Sequence, residues 1–221
     1  MKTWAQQLYH FYTHFEPGPL PNGVQWLFPQ RQPEVRTVVK AFLDKYYNDR
    51  NERRLLLGIN PGRFGAGVTG VNFTAPRQLT EVLQIDHPFR PQSELSAEFI
   101  YDLIAAYGGP DAFFGKHFIG SVCPLGFVKG GRNINYYDDP ALLAAVEPFI
   151  IQSIEAQLRL PVDRSVCGCI GGDKNFKYLS KLNARFGWFG RLEPLPHPRF
   201  VMQYRRREKD QFIDRYLQLL H

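Results

Sequence analysis

The spacing of apolar residues divides the chain into stretches with a helical period and stretches that are continuously apolar. Apolar residues at intervals of three and four, together with capping and proline signals, are typical of helices. The predicted helices are 3–15, 34–47, 97–107 with Ser96 as its N-cap, 139–158, 171–186 and 205–220. Short apolar runs bounded by glycine or proline are typical of buried parallel strands. The predicted strands are 53–59, 116–123, 165–170 and 191–195.

Helices and strands alternate along the chain, which predicts an α/β fold with a mainly parallel sheet between helices. The stretches 60–76 and 124–137 are predicted to be loops, and no long linker is present, so one domain over residues 1–221 is expected. Ligands of such folds bind at the carboxyl ends of the strands. The four predicted ends are Gly58-Ile59-Asn60-Pro61-Gly62, Cys123-Pro124-Leu125, Ile170-Gly171-Gly172 and Pro196-His197-Pro198.

The composition is that of a globular protein, with 44% hydrophobic and 22% charged residues. A net charge of +6 permits an anionic partner such as nucleic acid and argues against a cationic substrate. Three cysteines cannot form a disulfide framework, and the first residues lack an apolar signal-peptide core. No run reaches the roughly 18 apolar residues of a membrane helix. A cytoplasmic protein without membrane contact is therefore expected.

Two of the strand ends contain residues suited to chemistry. The glycines around Asn60 let the backbone approach a ligand closely, although an ordinary tight turn remains the alternative. The turn has neither the P-loop sequence nor the spacing of a dinucleotide fingerprint. His197 lies between two prolines, so its backbone is stiff, and a rigid histidine at a strand end suits polarising a substrate. A hydrogen-bonded structural histidine is the alternative there.

Four stretches, in order along the chain, resemble the single-strand-selective monofunctional uracil-DNA glycosylases. Gly58–Phe73 reads G-I-N-P-G-R-F-G-A-G-V-T-G-V-N-F, and the family motif is approximately G-M-N-P-G-P-F-G-M-x-x-T-G-V-P-F. Arg90–Ser96 is similar to R-P-Q-S-E-V-S, and Phe118–Leu125 with Gly131-Arg132-Asn133 is similar to F-V-H-N-x-C-P-L…G-R-N. His197-Pro198 occupies the place of H-P-S-P-R. The resemblance covers roughly residues 20–215.

This resemblance implies the fold of the uracil-DNA glycosylase superfamily, a three-layer α/β/α arrangement around a central sheet of about four parallel strands. It also implies a reaction in which a uracil or related damaged base is flipped out of DNA and its N-glycosidic bond is hydrolysed without a covalent intermediate. No cofactor and no metal are implied. The expected partner is single- or double-stranded DNA. The protein is expected to be a monomer that acts at the nucleoid of a bacterial-type cytosol.

The resemblance also implies roles for particular residues. Asn60 corresponds to the asparagine that positions water, and His197 to the histidine that stabilises the departing base. The base would be bound by Phe73, which stacks on it, by the backbone of Ile59, and by Ser121 and Phe64 in the pocket wall. The DNA strand would be contacted by Gly62, Gly65 and Arg132, which lie in the matching motifs. Arg63, where the family has proline, and Arg199 and Arg205, in the segment that departs from the family, are further candidate DNA contacts because of their charge and position.

Ser121 departs from the family, which has a base-reading asparagine at this place. A serine hydroxyl cannot make the paired hydrogen bonds of an amide, so discrimination for uracil is in question. Either another group, such as Asn72 or Asn133, reads the base, or the substrate differs. An inactive DNA-binding protein of the same fold and a hydrolase of free nucleosides or nucleotides are the alternative functions.

The segment after His197 also departs from the family. A wedge that opens the duplex could be built from Phe200, Met202 or Tyr204. For Phe200 and Val201, packing on the sheet is the favoured interpretation. The basic residues of 205–209 are either phosphate contacts or a solvated helix start.

Overall fold

The computed structural model describes residues 2–221, which form an α/β protein with two sheets. Its helices are α1 (Trp4–Thr13), α2 (Pro33–Tyr46), α3 (Ala66–Thr69), α4 (Pro76–Glu81), α5 (Leu95–Tyr107), α6 (Pro110–Lys116), α7 (Pro140–Gln157), α8 (Gly172–Phe186), α9 (Pro198–Tyr204) and α10 (Lys209–Leu220). Its strands are β1 (Val24–Leu27), β2 (Arg53–Gly58), β3 (His117–Ser121), β4 (Gly126–Lys129), β5 (Arg132–Ile134), β6 (Val162–Ile170) and β7 (Arg191–Leu195). Short 3-10 turns cover Pro29–Arg31 and Arg206–Glu208.

The main sheet has the order β3-β2-β6-β7, and all three pairings are parallel. Its second strand, β2, is apolar from Leu55 onward because helices cover both faces of the sheet, and Leu55, Leu56 and Leu57 are buried. The register pairs Gly58 with Ser121, so the carboxyl ends of neighbouring strands lie at one edge. The predicted α/β/α fold with a parallel four-stranded sheet is confirmed.

A second sheet, antiparallel and ordered β1-β4-β5, corrects the prediction that 124–137 is a loop. Strands β4 and β5 are joined by Gly130-Gly131, and both glycines have positive φ, 54° and 71°. A two-residue turn of this kind matches the twist of a hairpin, and Gly-Gly is one of its sequence signals. The strands were missed because each has only three or four residues, too few to show an alternating pattern.

Two helix starts and one predicted loop differ from the prediction. Helix α5 begins at Leu95 and is capped by Glu94, whose Oε2 accepts a hydrogen bond from the Ala97 N–H at 3.0 Å, so Ser96 is not the N-cap. The predicted helix 205–220 begins only at Lys209, because the chain forms α9 first, with Pro198 in its first turn. The predicted loop 60–76 contains α3, which ends where Gly70 adopts a left-handed conformation.

Helix α2 confirms the predicted helix 34–47 and buries one apolar face. Its buried residues are Val35, Val38, Val39, Phe42, Leu43 and Tyr46. They form part of a continuous core that includes residues of both faces of the main sheet. None of the helices within residues 2–221 is long and apolar enough to cross a membrane.

Candidate active site

A cavity of about 460 Å³ lies at the carboxyl edge of the main sheet. Every strand of that sheet contributes to its wall: Ile59 and Asn60 follow β2, Ser121 ends β3, Gly171 follows β6 and His197 follows β7. Parallel strands bring their carboxyl ends to the same edge, and the connecting loops open outward there. Residues separated by more than 130 positions in sequence are therefore brought to one site.

The structure brings together nine of the twelve residues singled out in the sequence. Those that line the cavity are Ile59, Asn60, Gly62, Phe64, Gly65, Phe73, Ser121, His197 and Arg199. Arg63, Arg132 and Arg205 do not line it. The guanidinium of Arg63 lies over the ring of Phe64, 5.1 Å from its centroid. Arg132 is exposed on β5, and Arg205 is exposed beyond α9.

The side-chain amide of Asn60 is held by the last residue of β5 and by the segment that follows it. Its Oδ1 accepts a hydrogen bond from the Tyr136 N–H at 3.2 Å, and its Nδ2 donates to the Ile134 carbonyl at 3.3 Å. These two bonds fix which end of the amide is oxygen. An amide oxygen has two lone pairs, so Asn60 Oδ1 retains one acceptor position for a water molecule.

Tyr136 is itself fixed by a buried hydrogen-bond chain that sequence reasoning missed. Its hydroxyl donates to Asn175 Oδ1 at 2.6 Å, and Asn175 Nδ2 donates to the Ile170 carbonyl at 3.0 Å. Tyr136 and Asn175 are fully buried. Buried polar groups require partners, and this chain connects α8 and the end of β6 to the backbone that holds Asn60. No local sequence signal marks such a long-range pair.

His197 is the N-cap of α9, and this role fixes its tautomer. Its Nδ1 accepts a hydrogen bond from the Arg199 N–H at 3.1 Å, so the ring proton is on Nε2. Burial, and secondarily the charge of Arg199, lowers the pKa of His197 from 6.5 to about 4. The imidazole is therefore neutral at pH 7, with Nε2–H as a hydrogen-bond donor.

Phe73 has a strained backbone, with φ of 51°, a region that non-glycine residues rarely adopt. Its ring lies 6.1 Å from the ring of His197 and lines the cavity. Backbone strain of this kind persists only where the surrounding structure imposes it, and it is concentrated at functional sites. The strained conformation directs an aromatic face into the cavity opposite the end of β7.

Ser121 is almost fully covered, and its hydroxyl is engaged with Asn72. Ser121 Oγ donates to Asn72 Oδ1 at 3.1 Å, and Asn72 Nδ2 donates to the Ile119 carbonyl at 3.0 Å. Ser121 is only 4% exposed, whereas Asn72 is half-buried, and both line the cavity. An amide from the segment before Phe73 thus stands beside the serine. The other sequence candidate, Asn133, is exposed and accepts a hydrogen bond from the Arg63 N–H at 3.3 Å.

Exposed aromatic side chains surround the mouth of the cavity. Phe64, Phe200 and Tyr204 are 44%, 46% and 67% exposed, and all three line it. The favoured interpretation that Phe200 packs on the sheet is therefore wrong, since α9 turns this residue outward. Val201 is buried as expected, and Met202 is also buried, which removes it from the candidates for a wedge.

The basic segment after α9 is partly neutralised within the protein. Arg205 pairs with Glu208 at 3.4 Å, Arg206 with Glu98 at 3.6 Å and Lys209 with Asp102 at 2.7 Å. Surface ion pairs of this kind are weak and do not prevent a phosphate from replacing the carboxylate. Arg199, at the cavity itself, lies closer to the site than these residues do.

A pair of histidines and two cysteines lie away from this cavity. The rings of His10, in the last turn of α1, and His14, directly after that helix, are 4.0 Å apart. No group of three or more His, Cys, Asp and Glu within residues 2–221 could hold a metal ion. Cys167 and Cys169 are fully buried in β6.

The cavity at the strand ends and the sheet order define a class of protein, and sequence comparison identifies it. The family model described as the uracil DNA glycosylase superfamily matches residues 45–221. The chain therefore belongs to the uracil DNA glycosylase superfamily, and the resemblance found in the four motifs is confirmed.

Individual relatives agree with this assignment. The crystal structure of wild-type Pedobacter heparinus SMUG2 is similar with a TM-score of 0.95 and 40% identity, over 99% of this chain and 97% of that one. The single-strand selective monofunctional uracil-DNA glycosylase of Rattus norvegicus is 35% identical over 105 residues, which is 39% of this chain and 38% of that protein. The Bos taurus protein of the same description is 33% identical over 105 residues, 39% of each chain. The matched region therefore spans less than half of these mammalian relatives.

Proposed function

We propose that the protein is a monofunctional DNA glycosylase that hydrolyses the N-glycosidic bond of uracil, or a closely related base, flipped out of DNA. The observation that carries the proposal is the shared cavity, in which the fixed amide of Asn60, the neutral imidazole of His197 and the ring of Phe73 lie together. The names of the relatives and the superfamily membership support the same reaction.

The chemistry assigns each group a task. When the bond between the sugar C1′ and the base nitrogen breaks, the base leaves with negative charge and the sugar gains positive charge. His197 Nε2–H donates a hydrogen bond to the base oxygen O2 and stabilises the leaving anion. The water held at Asn60 Oδ1 attacks C1′, its oxygen forms the new bond, and its proton passes through solvent to the departing base.

Phe73 would stack on the base, and Ile59 would offer its backbone. The Ile59 carbonyl already accepts a hydrogen bond from the Cys123 N–H at 3.0 Å, which holds this backbone rigid beside the base. None of the described residues lining the cavity is a lysine, which supports hydrolysis without the amine-linked intermediate of a lyase. The carboxylate in the wall, Glu94, accepts hydrogen bonds from Ser96 Oγ and the Ala97 N–H and caps α5.

The DNA would cross the mouth of the cavity. Gly62, Gly65 and Arg199 line this mouth, and the exposed rings of Phe64 and Phe200 provide stacking surfaces. Arg63, Arg132 and Arg205 would contact phosphates further along the strand. The protein would act as a monomer and one domain, on single- or double-stranded DNA. Its three cysteines are free and buried, which supports a cytoplasmic location.

Release of uracil from single- and double-stranded oligonucleotides, detected as strand scission after alkali, tests the proposal. His197→Ala is expected to slow release by about 100- to 1000-fold, the range for removal of one transition-state donor. Asn60→Ala removes the acceptor that orients the water and is expected to slow release by about 100-fold, the order of magnitude for a misplaced reactant. Asn51→Ala and His10→Ala make the same chemical changes at exposed positions away from the cavity and should retain wild-type rates. Wild-type rates in Asn60→Ala and His197→Ala would refute the assigned roles. Salt-dependent DNA binding without release of any base would instead favour a binding protein.

A further inference from the structure

We infer that Asn72, held in one orientation by Ser121 and Ile119, reads the Watson–Crick edge of the flipped base and selects a lactam edge, an N–H beside a C=O. The inference rests on the proposed function and specifies its substrate. It assigns to Asn72 the role that the family gives to an asparagine at the place of Ser121.

The hydrogen-bond inventory shows what Asn72 has left to offer. A side-chain amide has two N–H donors and an oxygen with two lone pairs. One N–H donates to the Ile119 carbonyl, and one lone pair accepts from Ser121 Oγ. One donor and one acceptor therefore remain on an amide that is half-buried in the cavity wall. This is the pairing capacity that Ser121 lacks.

The orientation of this amide has a fixed polarity. The Ile119 carbonyl can only accept a hydrogen bond, so rotating the amide by 180° would set two oxygens against each other and break a bond. In the fixed orientation, the free lone pair of Asn72 Oδ1 can accept a hydrogen bond from an N–H of the base. The free N–H of Asn72 Nδ2 can donate to a carbonyl oxygen of the base. Uracil presents this edge with N3–H and O4, whereas cytosine presents the opposite arrangement, with a bare N3 and an amino group.

Neighbouring residues fix the position of the Asn72 side chain, in addition to the hydrogen bonds that fix the orientation of its amide. It directly precedes Phe73, the residue proposed to stack on the base, so both contacts belong to one rigid turn. The turn is fixed by the buried Thr69 hydroxyl, which donates to the Thr74 carbonyl at 2.7 Å. The family motif has proline where this chain has Asn72. The amide is thus supplied by Asn72 of the first motif, Gly58–Phe73. It lies beside Ser121, which replaces the asparagine of the family.

Binding measured apart from cleavage tests the inference. The probes are single-stranded oligonucleotides carrying 2′-fluoro-2′-deoxyuridine, in which fluorine slows bond breakage, and the same oligonucleotides with 3-methyluracil, in which the N3–H is replaced. Wild-type protein is expected to prefer uracil by about 10- to 100-fold, the discrimination that a bidentate amide–base pair supplies. Asn72→Ala should reduce this preference to near one, because it removes the contact and makes room for the methyl group. Asn51→Ala should keep it.

Further variants separate a reading role from a structural one. Asn72→Leu has almost the same branched shape but neither a donor nor an acceptor, and it should also lose the preference, which provides a second test if Asn72→Ala is unstable. Ser121→Ala should weaken the preference by loosening the amide. Ser121→Ala should have no additional effect on it in an Asn72→Ala background, because Ser121 acts as a positioning residue through Asn72.

The outcomes distinguish this inference from the proposed function. A wild-type protein with no preference for uracil, or folded Asn72→Ala and Asn72→Leu proteins that keep the preference, would overturn the inference even if uracil is released. An Asn72-dependent preference in a protein that releases no uracil would support the inference and refute the proposed glycosylase activity.

Discussion

The ring of Phe73 lies directly against Gly58, the last residue of β2. A Cβ atom at Gly58 would come within 2.9 Å of Phe73 Cε2, closer than such contacts allow. The glycine therefore provides the space in which the strained Phe73 presents its ring to the cavity.

Gly58→Ala is expected to displace the Phe73 ring and to slow uracil release by about tenfold, equivalent to roughly 1.4 kcal/mol in the barrier. The ring end can shift more easily than backbone, so the loss of folding stability should be modest. Single-turnover kinetics together with a urea melt measure both effects. Gly115→Ala in α6 is the matched control, because nothing lies within 4 Å of a Cβ there. A wild-type rate in Gly58→Ala would show that the ring position does not matter.

Tyr136→Phe is expected to act on both stability and activity. It removes the 2.6 Å bond to Asn175 and leaves a buried oxygen without its donor, which costs about 1–3 kcal/mol in unfolding free energy. The backbone N–H that holds Asn60 then becomes less well positioned, so kcat should fall while KM for the oligonucleotide stays nearly constant. Tyr178→Phe, which removes a bond to Glu147, should leave kcat unchanged. An unaltered kcat in Tyr136→Phe would show that the hydrogen bond between Tyr136 and Asn175 does not contribute to catalysis.

His117 should make the protein less stable in acid. Burial, then the charges of Arg54 and Lys116, lowers its pKa from 6.5 to about 3. The unfolded chain therefore binds a proton below about pH 6.5 that the folded protein does not, so stability falls as pH decreases toward 3. Both ring nitrogens lack a hydrogen-bond partner among the described residues.

His117→Phe should therefore raise the melting temperature, and should raise it more at pH 5 than at pH 8. The rings of Tyr107 and Phe113 lie 5.0 and 5.1 Å from the histidine ring, an environment that accepts a phenyl group. Removing two unsatisfied buried nitrogens raises the free energy of unfolding by about 1 kcal/mol or more at neutral pH. Calorimetry at the two pH values measures the difference, and an equal gain at both would contradict the assigned titration.

Phe200→Ala and Tyr204→Ala should weaken binding to single-stranded DNA without affecting folding. Exposed aromatic rings that stack on bases contribute about 1–3 kcal/mol per base. The neighbouring Val201 provides the contrast, because it is fully buried, so Val201→Ala should lower stability and leave DNA affinity intact. Fluorescence anisotropy at constant salt measures the affinity. Unchanged affinity in both aromatic variants would remove α9 from the DNA-binding surface.

The sequence predicted the main sheet well because β2, β3 and β6 contain short apolar runs, and a glycine or proline lies at or soon after the end of each of the four strands. Strand β7 was predicted with the bounds that the structure has, Arg191–Leu195. The hairpin of β4 and β5 was missed because it is short and its stability depends on β1, about a hundred residues earlier. Local patterns do not record such pairings.

The same limit applies to the site. The residues at strand ends, such as Asn60 and His197, could be located because a parallel sheet collects its carboxyl ends. The partners that orient them could not be, because Asn175 reaches Tyr136 only through the packing of α8 against the sheet. Asn72 was a candidate from its position, but only the structure shows its bond to Ser121.

The dependence of Asn60 on the segment after β5 has a consequence for protein design. The Asn60 amide follows a strand of the parallel sheet, yet its orientation is set by the end of β5 in the antiparallel sheet and by the segment that follows it. Transplanting the four strand ends onto another parallel scaffold would therefore carry over these side chains but not the contacts that orient them. A functional graft would have to include the glycine hairpin and its tyrosine as well.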